Sequence, residues 1–265
     1  MTLIQIIVLA LIQGLTEFLP VSSSAHLILG SKLFGWPDQG LVFDVATHLG
    51  TLLAALFYFR RELTEMVTCW FHPVRTDADR QSRTLFVCLC AASVATLFIG
   101  FLAFDLIAEH LRDVRVIALA TIGFGILLWV ADVAGKEHKG IESIDIRGAL
   151  LIGLAQACAL IPGTSRSGVT ITAGRLIGLS SEAAARFSFL LSIPVVAAAG
   201  GYGLLKSLTG EAAIDWVEFV MATVIAAVAG WVCIAAFLAL LNRVGLMPFI
   251  IYRLILGVGL LWLLV

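Results

Sequence analysis

The stretch Gln13-Gly14-Leu15-Thr16-Glu17-Phe18-Leu19-Pro20-Val21-Ser22-Ser23-Ser24-Ala25-His26 decides how this chain is read. An apolar run carries a carboxylate, meets a proline, and passes into three hydroxyls and an imidazole. A second stretch repeats the plan: Gln156-Ala157-Cys158-Ala159-Leu160-Ile161-Pro162-Gly163-Thr164-Ser165-Arg166-Ser167-Gly168-Val169-Thr170. Charges and helix breakers are costly inside a bilayer and persist where they build a polar site.

The surroundings are lipid-like. Of 265 residues, 60% are hydrophobic and only 13% charged, and the mean hydropathy is +1.04, which excludes an ordinary soluble domain. Charge-free runs at 84–104, 187–205 and 219–242 are long enough to span as helices. Runs at 45–59 and 116–131 span if their flanking charges reach the headgroups. Residues 1–19 match a secretory signal in hydrophobicity but lack a basic start and run into the polar motif. They are read as part of the mature fold. The net charge of −1 says nothing useful about partners, and no basic cluster suggests nucleic acid. Cys69, Cys88, Cys90, Cys158 and Cys233 are scattered and read as small hydrophobes, not as disulfide or metal groups.

The two motifs align at an offset of about 142 residues, pairing Pro20 with Pro162 and Ser23 with Ser165. Phe43-Asp44-Val45 and Phe187-Ser188-Phe189 open similar helices, and Gly123-Phe124-Gly125 and Gly257-Val258-Gly259 open similar ends. The expected fold is an all-α polytopic membrane protein, one domain over 1–265, built from two repeats at about 1–135 and 147–265. Each half reads as two short pieces (3–18 and 22–34; 148–161 and 167–178) and three longer ones (42–60, 84–105 and 115–133; 182–206, 216–241 and 248–264). Each short pair is joined by a Pro-containing break and is expected to be a re-entrant hairpin, allowed where the break is buried in protein. Three spans per half then require the second repeat to be inverted. Arg60, Arg61, Arg75, Arg80, Arg83, Lys136, Lys139, Arg147 and Arg243 fall on one side, which is expected to be cytoplasmic. Lys32, Arg112, Arg115 and Lys206 fall opposite, partly balanced by Asp38, Asp105, Glu109 and Asp113.

If helical, Gln13 and Glu17 stand four apart on one face. Pro20 ends the helix, and Ser22 or Ser23 is a suitable cap for the next one, whose free amides favour an anion. His26 returns toward that end. In the second motif Thr164, Ser165, Ser167 and Thr170 supply hydroxyls at another helix start, and Arg166 supplies a planar cation matched to phosphate oxygens. Together with Ser24, these groups describe a phosphate-ester or diphosphate site with room for a divalent cation at the carboxylate.

Both motifs closely resemble the signatures of the bacterial undecaprenyl-diphosphate phosphatases, the bacitracin-resistance family. The resemblance covers essentially the whole chain, including Phe249-Ile250-Ile251-Tyr252-Arg253. It implies removal of the terminal phosphate of undecaprenyl diphosphate, giving the lipid carrier of cell-wall synthesis and bacitracin resistance. It also implies Mg²⁺ or Ca²⁺ support, Glu17 as the essential acid and metal ligand, and Ser23, His26 and Arg166 as its catalytic partners. Gln13, Ser22, Ser24, Thr164, Ser165, Ser167 and Thr170 are then the substrate-binding set. The implied location is the bacterial inner membrane, with the site facing the periplasm. The family takes Glu or Gln at position 13; Gln13 removes one negative charge and is expected to orient water or phosphate through its amide.

Ser23, His26 and an activated water all stay open as the attacking group, and monomer and homodimer are equally compatible with the sequence. His48 is read as a core histidine, His72, His110 and His138 as solvated, and Arg253 as snorkelling or pairing with a carboxylate, with contact to a lipid phosphate as a further alternative. A transporter or lipid flippase would share the inverted-repeat plan, and movement of the lipid carrier could coexist with hydrolysis. The reactive set Glu17, Ser23, His26 and Arg166 favours the enzyme. A passive scaffold leaves the buried charges unexplained.

Overall fold

In the computed structural model the described residues are 1–110, 113–135, 138–209 and 214–264, with side chains at all but 31–33, 103–110 and 264. The charge assignments at Lys32, Asp105, Glu109, Arg112 and Lys136, and the reading of His110, fall outside what is described.

Eleven α-helices are present among these residues: α1 (Leu3–Thr16), α2 (Ser23–Phe34), α3 (Gly40–Tyr58), α4 (Arg60–Thr68), α5 (Asp77–His110), α6 (Val114–Ala134), α7 (Ile146–Gln156), α8 (Arg166–Leu176), α9 (Ser181–Thr209), α10 (Trp216–Val244) and α11 (Met247–Leu264). No strand is formed among them. Five helices, α3, α5, α6, α9 and α10, are long and apolar enough to cross a membrane. The chain is therefore an all-α, multi-pass membrane protein. α11, at 18 residues, is near the shortest length that spans. The basic loop expected after residue 60 is partly helical: α4 carries Arg60 and Arg61 with Met66 buried beneath, and α5 starts at Asp77.

α1 and α2 form one hairpin and α7 and α8 another, and they open toward opposite ends of the bundle. At one end the Met1 ammonium meets Glu218 at the start of α10 at 2.9 Å, and Trp36 beyond α2 packs against the core formed by Ile6, Phe43 and Phe219. At the other end Lys139 bridges Leu179, Arg175 donates to Gly135 O at 2.7 Å, and Ile144 and Leu179 share a core with Phe59 and Leu246. Arg186 pairs with Glu62 at this same end. Helices α1 and α7 pack on α10 and α5, each through a glycine. A Cβ on Gly14 would lie 2.6 Å from Ala229 Cβ, and one on Gly153 only 2.4 Å from Ala92 O. In lipid, where apolar burial gives little drive for association, such small residues let helix backbones approach.

Candidate active site

The breaks in the two hairpins meet inside the bundle, and each is built by the same local device. α1 ends at Thr16, Pro20 cannot continue the helix, and Ser22 turns the chain at φ 73° into α2. In the second hairpin Gly163 at φ 94° and Ser165 at φ 67° turn the chain into α8, whose Gly168 amide is capped by Ser165 Oγ at 3.2 Å. Ser22 and Ser165 are the two non-glycine residues with positive φ among the described residues. The backbone thus matches Ser22, not Ser23, to Ser165, because the left-handed turn precedes each helix by one residue.

The hairpins hold each other through side chains. Ser167 Oγ donates to Leu19 O at 2.8 Å, and the Gly163 amide donates to Ser24 Oγ at 3.3 Å. Arg166 Nη2 donates to Glu17 Oε1 at 2.9 Å, joining the carboxylate of one motif to the cation of the other. Both side chains are largely withdrawn from the surface, at 8% and 14% exposure, so they neutralise each other in a region with little solvent. Glu17 Oε2 accepts from Ser23 Oγ at 2.8 Å and from Gln13 Nε2 at 2.9 Å.

Gln13 is fully buried, and its Nε2 also faces His48 Nε2 at 3.4 Å. His48 Nδ1 lies 2.7 Å from Asp44 O; a carbonyl only accepts, so Nδ1 holds the proton and Nε2 accepts from the amide. His48 therefore adjoins the site, closer than a core histidine would. Gln13 Oε1 is left buried with no partner. Thr164 Oγ1, in the second break, is likewise buried and unpartnered.

His26 does not join Glu17. Its Nδ1 lies 2.7 Å from Ser22 O and its Nε2 2.7 Å from Tyr252 Oη. Thr170, expected at the substrate, turns instead to Ser188 on α9 at 2.6 Å and is a packing group. Ser22 is buried and pairs with Ser24 at 3.1 Å, while Ser165 faces Ser167 at 3.3 Å.

Sequence reasoning missed the role of Arg253. It neither snorkels nor meets a carboxylate; it is completely buried on α11. Its guanidinium donates to Pro20 O at 3.3 Å, Thr121 O at 3.2 Å, Gly163 O at 3.2 Å and Thr164 O at 2.9 Å. One cation thus fastens both breaks and α6. A Cβ on Gly168 would lie 2.5 Å from Arg253 Nη1, which accounts for glycine there. The available signal was an arginine inside an apolar run, with Tyr252 beside it.

Among the described residues no three His, Cys, Asp or Glu side chains cluster as a metal cage. Both Glu17 oxygens are engaged, but the open Gln13 Oε1 is an oxygen donor suited to a hard cation. A divalent ion fits here if Glu17 and Gln13 supply two oxygens and phosphate and water supply the rest.

The sequence profile of the family described as "Bacitracin resistance protein BacA" matches residues 6–259. The undecaprenyl-diphosphatase of Colwellia psychrerythraea is 54% identical over 99% of both chains. That of Teredinibacter turnerae is 51% identical over 97% of this chain and 98% of its own. The undecaprenyl-diphosphatase 2 of Stutzerimonas stutzeri is 53% identical over 98% of both. With paired motifs, opposed hairpins and near full-length similarity, this chain belongs to the BacA bacitracin-resistance family.

Proposed function

We propose that the chain hydrolyses undecaprenyl diphosphate to undecaprenyl phosphate and inorganic phosphate, returning the lipid carrier to cell-wall synthesis and conferring bacitracin resistance. The observation that carries this reading is the 2.9 Å contact between Glu17 and Arg166, which brings the two motifs to one place. The two halves are read as inverted repeats with re-entrant hairpins. The basic end holding Arg60, Arg61, Arg75 and Arg80 is read as cytoplasmic in the inner membrane, which places the open end of the first hairpin on the periplasmic side.

A diphosphate entering between the breaks takes the Arg166 guanidinium, whose planar fork matches phosphate oxygens. The Glu17–Arg166 pair then opens, and Glu17 is free to accept a proton. The hydroxyl already bonded to Glu17 is Ser23, so Ser23 is the preferred nucleophile. Its Oγ forms a bond to the terminal phosphorus as the bridging P–O bond breaks, undecaprenyl phosphate leaves, and the hydroxyl proton passes to Glu17. Water then attacks the phosphoserine; Glu17 returns its proton to the departing Ser23 oxygen, and the water's protons leave with inorganic phosphate, restoring both residues. Gln13, held through Nε2 by Glu17 and His48, keeps Oε1 free of any protein partner. Bound with Glu17 and Gln13, Mg²⁺ or Ca²⁺ would offset phosphate charge. All these residues come from one chain, so the chemistry asks nothing of a homodimer.

The test is phosphate release by the purified protein with acid-quenched trapping of the enzyme. Labelled phosphate on Ser23 supports this route. Turnover with no phospho-enzyme, and with persistent activity in Ser23→Ala, overturns it in favour of direct attack by water.

A further inference from the structure

His26 stands apart from the Glu17 cluster, and its surroundings are defined on both nitrogens. Ser22 O can only accept, so the 2.7 Å contact fixes the proton on Nδ1. Nε2 is then the basic nitrogen and accepts from the Tyr252 hydroxyl at 2.7 Å. The two rings lie nearly parallel, 5° apart in plane with centroids 5.5 Å apart. A carbonyl on one nitrogen and a hydroxyl on the other is the arrangement that sets the tautomer and direction of an imidazole for proton chemistry.

Tyr252 is 45% exposed on α11, while its neighbour Arg253 is fully buried against both breaks. The same turn of α11 therefore fastens the hairpins through Arg253 and meets His26 of α2 through Tyr252. For packing against lipid alone phenylalanine would serve as well; among the described residues the hydroxyl meets His26.

We propose that Tyr252 is a positioning residue of the active site: its hydroxyl holds the basic nitrogen of His26 in a fixed direction beside the break from which α2 leaves. In the free enzyme Tyr252 occupies Nε2. As the diphosphate arrives, the hydrogen bonds from the phenol to Nε2 and from Nδ1 to Ser22 O keep the imidazole from rotating away. The inference rests on the reading of His26 as a residue of the phosphatase site.

The experiment is a double-mutant cycle on the full chain purified in detergent, with undecaprenyl diphosphate and saturating Mg²⁺, comparing wild type, Tyr252→Phe, His26→Gln and the double variant. Size-exclusion and thermal-unfolding profiles matching wild type establish that each variant is folded. Tyr252→Phe is expected to lower kcat by about fivefold, the worth of one neutral hydrogen bond, with KM within about twofold. In the His26→Gln background the same change is expected to have almost no further effect. If Tyr252→Phe equals wild type, or if its effect is undiminished in the His26→Gln background, the inference is overturned. If His26→Gln itself turns over at the wild-type rate, the reading of His26 fails and this inference with it, while Glu17, Ser23 and Arg166 are untouched.

Discussion

Ser22 and Ser165 share a left-handed backbone, at φ 73° and φ 67°, each directly before the helix that leaves its break. Backbone of this kind costs about 1–3 kcal/mol for a residue with a side chain, and persists where surrounding contacts impose it. At Ser165 the hydroxyl caps α8 while the conformation itself would suit glycine. Ser165→Gly is therefore expected to be close to neutral in thermal unfolding, losing a cap but relieving strain. Ser165→Ala keeps the strain and loses the cap, and is expected to cost about 1 kcal/mol. Unfolding of the two variants side by side in one detergent checks the order.

Arg253 is the fastener of the site. Arg253→Met leaves the carbonyls of Pro20, Thr121, Gly163 and Thr164 without this donor in a dry interior. Gly163 O keeps the Thr121 hydroxyl as a donor and Thr121 O lies within α6, so Pro20 O and Thr164 O lose most; at about 1–3 kcal/mol for each group left unpaired, the variant should be destabilised and lose turnover. Arg253→Lys keeps the charge but not the planar fork, and is expected to fall between. Thermal unfolding and phosphate release measured on the same preparations give both numbers.

The helix contacts through Gly14 and Gly153 predict sensitivity at positions that carry no polar side chain. Gly14→Val would push into Ala229 and Ala226 and lift α1, with Gln13 and Glu17, away from α10. Overpacking of this kind costs about 1–3 kcal/mol. The expected result is a lower unfolding temperature and a turnover defect that substrate saturation does not restore. Gly100 has open space around an added Cβ, so Gly100→Ala should leave both unchanged.

Gln13→Glu tests the charge of the site without altering its shape. A second carboxylate beside Glu17 would make the oxygen set more attractive to a divalent cation and less tolerant of its removal. The half-saturating Mg²⁺ concentration for phosphate release is expected to fall, and residual activity in chelator to drop below that of the parent chain. No change in the Mg²⁺ titration would show that position 13 does not face the cation.

Much of this was legible in the sequence, for identifiable reasons. Pro20 and Pro162-Gly163 interrupt apolar runs too short to span twice, so the hairpins could be read from breaks and lengths; the helices α2 and α8 begin within a residue of the expected starts. Glu17 and Arg166 could be paired because each would be costly in lipid alone. The finer arrangement could not be read. Whether His26 turns toward Glu17 or toward Tyr252 depends on the rotation of α2 and α11, which no local pattern encodes. Thr170 looked equivalent to its neighbouring hydroxyls, but one further turn of α8 directs it to Ser188. Arg253 was misread because its partners are backbone carbonyls, which leave no mark in sequence, and α4 was missed because nine residues carrying Arg60, Arg61, Glu62 and Glu65 resemble a loop.

The most direct test of the central claim, that Glu17 and Arg166 from opposed hairpins serve one diphosphate site, is phosphate release by Glu17→Ala, Arg166→Ala and the double variant. Residues that act as a unit lose function together, so each single variant should fall by about 10³-fold or more and the double by no more than the worse single. Wild-type turnover in either single variant, or losses that multiply in the double, would contradict it.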